Sequence, residues 1–178
     1  MKKIAYYAKI NTPFAYLYLA STPNGLCRVD WVRDDEEKFF SWLHSRFDDF
    51  YEDPLLHEPI INQLKQYFDG KLKSFEVTID LSGTDFQKKV WKALMDIPYG
   101  QVCSYKDIAQ RVGSPKGFRA VGMANNQNPI AVIIPCHRVI GHDGKLVGYA
   151  EGIDIKEKLL VLEGRTIRNK KVVLDSKR

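Results

Sequence analysis

The chain has 178 residues, 44% of them hydrophobic and 12% aromatic, which is enough apolar matter for a packed core and excludes disorder along the whole length. No run reaches the roughly 18 to 20 apolar residues that span a bilayer, and the start MKKIAYYAKI has neither the apolar stretch nor the cleavage site of a signal peptide. A cytoplasmic protein (nuclear in a eukaryote) with no membrane association is therefore expected. The formal net charge of +5 is uneven: residues 1–80 carry 10 Lys/Arg against 13 Asp/Glu and the rest 17 against 9, so −3 and +8 sum to +5. A basic second half suits a polyanion, and equally a plain solvated surface.

Residues 3–10 and 15–20 are rich in β-formers and are separated by the turn signal Asn11-Thr12-Pro13. Asn24-Gly25 marks a hairpin into residues 26–32. Asp34, Asp35, Glu36 and Glu37 precede Phe39, Phe40, Leu43 and Phe47, a helix with acid at its dipole-favoured end. A second helix is expected over 59–68, stopped by Gly70, and a strand over 75–81. Together these make a small α+β domain over 1–83.

Thr84-Asp85-Phe86-Gln87 has the form of a capping box, with Val90, Trp91, Leu94 and Met95 following at helical spacing until Pro98-Tyr99-Gly100. Ser104 caps a helix over 105–112 that ends at Gly113, and Ser114-Pro115 opens a third helix through 124. Two short helices joined by a Gly-Ser turn form a helix-turn-helix candidate. The third helix is small-sided, with Gly117, Ala120, Gly122 and Ala124 around one long cation, Arg119. Such a face lets a backbone approach another helix or a DNA groove closely. An apolar strand over 130–134 then ends at Pro135, a last helix spans 153–163, and 166–178 is a basic tail. The expected class is α+β: a sheet-plus-helix domain over 1–83, a mostly helical domain with the helix-turn-helix over 84–165, and the tail.

Cys27, Cys103 and Cys136 are an odd number at wide spacing, which is no disulfide framework. His44, His57, His137 and His142 show no grouping suited to zinc, so no metal and no cofactor are expected. Cys136 stands in IIPCHRVIG, behind a proline that fixes the backbone and before His137 and Arg138, which lower a thiol's pKa when close. Neighbours on an extended segment point to opposite faces. His137 therefore acts on the thiol through a bridging water, and needs an acceptor to orient it. These residues alone leave two readings open, a buried core cysteine and a nucleophile.

IPCHRV at 134–139 resembles the active-site signature of the O6-alkylguanine-DNA alkyltransferases, the methylated-DNA–protein-cysteine methyltransferases. RAVGMANNQNP at 119–129, SYKDIA at 104–109 and GYAEG at 148–152 are similar to further segments of that family, in the same order, so residues 84–164 are covered. The resemblance implies repair of double-stranded DNA containing O6-alkylguanine, and also O4-alkylthymine, by a monomer; cooperativity on DNA is left open. The alkyl group passes irreversibly to a cysteine, once per molecule, after the damaged base is flipped out through the minor groove.

On this resemblance Cys136 is the alkyl acceptor, His137 the water-linked base, Glu163 the carboxylate that orients it, and Asn128 the brace of the preceding turn. Arg119 fills the vacated stack, Gly122 and Ala124 permit close groove approach, and Tyr105 assists rotation and hydrogen-bonds the base. Val139 and Ala150 offer backbone groups to the guanine edge, and Tyr149 walls the pocket. One departure is visible: the family's G-Y-x-G-G loop has Glu151-Gly152 here, from which altered tolerance of O6 adducts is expected. Two other classes compete with this one. A non-catalytic DNA-damage binder lacks the acceptor cysteine, and a cysteine hydrolase needs a histidine facing the thiol directly.

Overall fold

A computed structural model describes residues 1–175, which divide into two compact units, 1–82 with 129–131 and 83–128 with 132–175. In the first unit, β1 (Ile4–Asn11), β2 (Tyr16–Thr22) and β3 (Gly25–Val32) pair antiparallel in succession. Gly25 has to be glycine: its φ is +148°, and a Cβ would stand 2.6 Å from the Thr78 carbonyl oxygen. The helix α1 (Glu37–Arg46) follows, and β4 (Asp49–Glu52) then adds in parallel to β1, giving the order β3-β2-β1-β4. The apolar face of α1 follows its helical spacing: Phe39 and Leu43 are buried with Ala5, Tyr18, Ala20 and Val32. The helix α2 (Glu58–Phe68) buries Leu64 and Tyr67.

Two expectations fail in this unit. Residues 75–81 form no strand; Ile79 makes a single parallel bridge to Leu26, because Leu26 N–H bonds Thr78 O and Asp80 N–H bonds Leu26 O and nothing continues the ladder. Residues 129–131, assigned from sequence to the second domain, belong to the first unit. Val29 donates to Pro129 O at 2.9 Å and receives Ala131 N–H at 3.0 Å, and Ile130 is fully buried.

In the second unit α3 (Asp85–Met95) starts with the capping box foreseen at Thr84, both reciprocal bonds being present. The two-residue β5 (Cys103–Ser104) leads into α4 (Tyr105–Arg111), where Ser104 and Asp107 form a second capping box. The next helix, α5 (Phe118–Asn126), starts three residues later than Ser114-Pro115 suggested. The reason is local: Gly117 N–H closes a turn onto Ser114 O, so 114–117 is spent reversing the chain. A single 3-10 turn, Cys136–Arg138, precedes β6 (Val139–Ile140), which pairs in parallel with β5. The helix α6 (Ile153–Leu162) follows.

The expected tail at 166–178 is folded through residue 173. Strands β7 (Ile167–Arg168) and β8 (Lys171–Val172) form a hairpin. Val172 is buried with Ile140, Leu146 and Leu160, so an apolar anchor overrides the basic composition. Residues 176–178 of that expected tail lie outside the described residues.

Candidate active site

Cys136 is not delivered by a strand. After the bridge at Ile130 the chain turns, and Val132 adopts φ +71°, a left-handed conformation unusual for a β-branched residue and costing about 1–3 kcal/mol. Pro135, at φ −83° and ψ 63°, is the centre of an inverse γ-turn in which Cys136 N–H bonds Ile134 O at 2.8 Å. Arg138 N–H then closes on Pro135 O at 3.0 Å, so Cys136, His137 and Arg138 fan out from one tight turn. Asn128 holds the strained turn from outside, its Nδ2 donating to Ile134 O at 2.7 Å, and its side chain also stabilises the thiolate of Cys136. Cys136 is 6% exposed, and burial pushes its thiol up to about 11, so the resting group is a neutral thiol.

Behind the thiol lies a buried ionic network. Glu163, the residue that caps α6, accepts from His137 Nε2 at 2.8 Å and from Arg138 Nε and Nη2 at 2.9 and 2.8 Å, a bidentate grip. Arg138 Nη1 also donates to Ile97 O at 2.6 Å. Burial alone would raise the Glu163 carboxyl, but His137 and Arg138 hold it well below the usual carboxylate range. Burial lowers the His137 pKa in turn, so the ring is neutral, and the bond to an ionised carboxylate places its proton on Nε2. Its Nδ1 is an acceptor with no hydrogen-bond partner among the described residues, and so does not bond the Cys136 thiol directly. A buried, unprotonated ring nitrogen held by a carboxylate is equipped to take a proton.

Sequence reasoning passed over Lys156. It is fully buried in the first turns of α6, with Nζ donating to Val139 O and, at 2.8 Å, to Val147 O. Burial lowers its pKa to about 8, and its charge favours the Cys136 thiolate, partly countering the rise that burial imposes on that thiol. Tyr105 reaches the same place from α4, its hydroxyl donating to Val147 O at 2.9 Å with Gly148 O at 3.3 Å. Burial pushes that phenol up to about 12, so it stays protonated and remains a donor. A cavity of about 340 Å³ opens beside Tyr105, bounded by Ser104, Lys106, Phe118, Gly141 and His142.

The remaining expected site residues divide. Arg119 is exposed on α5, and Gly122 faces Tyr105, where a Cβ would meet its ring at 3.9 Å. Ala124 is a correction: at 2% exposure, with its carbonyl accepting from Trp91 Nε1 at 2.9 Å, it packs inward and is closed to a DNA groove. Val139 is buried and its carbonyl already accepts from Lys156, leaving one lone pair for a ligand. Tyr149 is buried and Ala150 exposed in the loop before α6.

The sequence profile of the 6-O-methylguanine DNA methyltransferase ribonuclease-like domain matches residues 5–81, and that of the same proteins' DNA-binding domain matches residues 85–165. A methylated-DNA–protein-cysteine methyltransferase of Methanosarcina barkeri is 48% identical over 165 residues, 92% of this chain and 99% of that one. The chain belongs to the methylated-DNA–protein-cysteine methyltransferase family. The crystal structure of Mycobacterium tuberculosis O6-methylguanine methyltransferase matches at 44% identity and a TM-score of 0.80, over 89% of this chain and 92% of that one. A structure of Mycobacterium tuberculosis OGT in complex with DNA matches at a TM-score of 0.78 with the same identity and coverage. Members of this methyltransferase family move an alkyl group from DNA to one of their own cysteines, in a single turnover. Of the three cysteines here, Cys136 alone adjoins a His–carboxylate pair and a buried lysine.

Proposed function

We propose that the protein repairs double-stranded DNA by transferring the alkyl group of O6-alkylguanine, and of O4-alkylthymine, irreversibly to Cys136. The observation that carries this reading is the His137–Glu163–Arg138 network, which leaves one unbonded acceptor nitrogen beside a buried thiol. His137 Nδ1 takes the thiol proton through a bridging water, and Glu163 steadies the imidazolium that forms. Lys156 favours the thiolate electrostatically. Sulfur then bonds to the alkyl carbon as the bond to O6 breaks, and the guanine anion takes a proton from solvent, with Tyr105 in this reading hydrogen-bonding the base. A thioether is a poor leaving group, so the thiol is not restored.

In this reading α4 and α5 are the helix-turn-helix, with α5 against the minor groove and Arg119 filling the gap left by the flipped base. Asn128 keeps the strained turn closed, while Tyr149 and the backbone of Val139 and Ala150 meet the base. The protein acts as a monomer. Titrating it against a duplex carrying O6-methylguanine should give transfer that saturates at one methyl per protein. Repeated turnover would refute the reading. Arg119→Ala should slow transfer on duplex DNA by about tenfold or more and leave the rate on free O6-methylguanine within about twofold, since a base outside a helix needs no flipping. Equal slowing of both, measured by single-turnover kinetics, would remove Arg119 from that role.

A further inference from the structure

We propose that the first unit carries a ligand site of its own, which binds the phosphate group of a nucleotide, either free or within a nucleic-acid strand. The site is a cavity of about 320 Å³ framed by residues just before β1, in β3 and at the end of α1, all inside that unit. Residues 1–80 carry 13 Asp/Glu against 10 Lys/Arg, so the unit is acidic as a whole. The cavity reverses that balance. Lys3, Arg28 and Arg46 line it, against one carboxylate among the described residues, Asp80. The chemistry at Cys136 uses none of these side chains.

The three cations play different parts. Arg28 is fixed in place: Nε donates to Asp30 Oδ2 at 2.9 Å, and the guanidinium lies over the Trp42 ring, 4.9 Å from its centroid. Phe47 meets the same indole edge-on at 5.7 Å. Asp30 balances the Arg28 charge, so Arg28 contributes its Nη hydrogens, which bond no acceptor among the described residues. Lys3 is placed through its backbone, which donates to Asp48 Oδ2 at 2.7 Å and accepts from Asp48 N–H at 2.8 Å. The side chains of Lys3 and Arg46 pair with no carboxylate among the described residues and supply the charge. Asp80 is partly spent, its Oδ2 accepting the Thr22 hydroxyl at 2.6 Å. Two unpaired cations less one carboxylate leave a balance of +1, and a guanidinium fork beside them suits the paired oxygens of a phosphate. The volume sits at the small end of the range for ligand pockets, roughly 300–1,000 Å³, which is ample for a nucleotide and more than bare phosphate needs. Trp42 and Phe47 give the sugar or base an aromatic wall.

The test is calorimetric titration of the full chain at low salt with three probes. These are deoxyadenosine monophosphate, a deoxyadenosine dinucleotide joined by one phosphodiester, and deoxyadenosine as the phosphate-free control. Adenine carries no alkylated O6, so none of them is a substrate for transfer. A phosphate probe should bind once per protein with a Kd of about 1 mM or tighter, and deoxyadenosine at least about tenfold more weakly. Tighter binding of the monoester identifies a free nucleotide as the ligand, and equal or tighter binding of the diester identifies a strand. Arg46→Gln and Lys3→Gln should each weaken binding about fivefold to tenfold, while transfer from free O6-methylguanine stays within about twofold. Both side chains are exposed and make no bond in the fold, so neither substitution threatens folding. Absence of binding by both phosphate probes overturns the proposal. So does deoxyadenosine binding as tightly as they do, or an affinity unchanged in either variant.

Discussion

Replacing Cys136 with Ala should reduce alkyl transfer below detection while leaving affinity for an O6-methylguanine duplex within about twofold. The substitution removes one small buried atom from a turn whose backbone bonds, Cys136 N–H to Ile134 O and Arg138 N–H to Pro135 O, do not involve the side chain. Its cost in stability is therefore about 1 kcal/mol, too little to unfold the domain. Cys27→Ala and Cys103→Ala should both retain transfer. Cys27 sits in the other unit with its thiol pushed up to about 12 by burial and donating to Ala20 O, and burial likewise raises Cys103. Neither is followed in the chain by a histidine bonded to a carboxylate, as Cys136 is. Residual transfer in Cys136→Ala, measured with a labelled methyl group, would move the acceptor elsewhere.

Glu163→Ala should be the most damaging single change to stability in the second unit. The carboxylate side chain has no exposed surface and satisfies His137 and Arg138 together, so its removal strands a buried guanidinium at a cost of about 3–5 kcal/mol. For a unit of this size that lowers the thermal midpoint on the order of 10–30 °C. Glu163→Gln separates folding from chemistry. The amide oxygen still accepts a hydrogen bond, but it no longer stabilises an imidazolium, so transfer should fall on the order of 100-fold in protein that remains folded. The acid response follows from the same bonds. Because the folded carboxyl is held below its usual range, its contribution is complete above the ordinary carboxylate pKa of about 4.3 and is lost as pH falls below it. Glu163→Gln should accordingly flatten the loss of stability on acidification, followed by thermal melts between about pH 6 and 3. A Glu163→Gln protein with unaltered transfer would detach the network from the reaction.

Much of the second unit was legible because its signals are local. Thr84–Gln87 and Ser104–Asp107 are capping boxes in three-residue spacing, and both helices begin where those residues stand. The pairing of Glu163 with His137 spans 26 positions and came from family resemblance, since no spacing rule connects them. Lys156 had a signal that was not used: 156, 159, 160 and 163 repeat at helical spacing, so the lysine shares its buried stripe with Leu159, Leu160 and Glu163. A lysine on such a stripe reads as solvated until the carbonyls that receive it, Val139 O and Val147 O, are known, and those come from distant segments.

The turn before the cysteine misled for a different reason. Five apolar residues at 130–134 have the composition of a buried strand, yet only Ile130 bridges, and Val132 is held left-handed by its surroundings. Composition records that these side chains are buried; it does not record that Asn128 reaches across to Ile134 O and folds the segment back. The same limit explains Ala124, a small residue whose size suited a groove and whose carbonyl is instead bonded to Trp91. Small residues permit close approach without naming the partner.

The most direct measurement is peptide mass spectrometry of the intact chain after exposure to excess duplex containing O6-methylguanine. The account predicts one added methyl group per molecule, carried by the peptide that contains Cys136, with no further gain on longer incubation. A methyl group on a peptide containing Cys27 or Cys103, or guanine repaired in molar excess over protein, would contradict it.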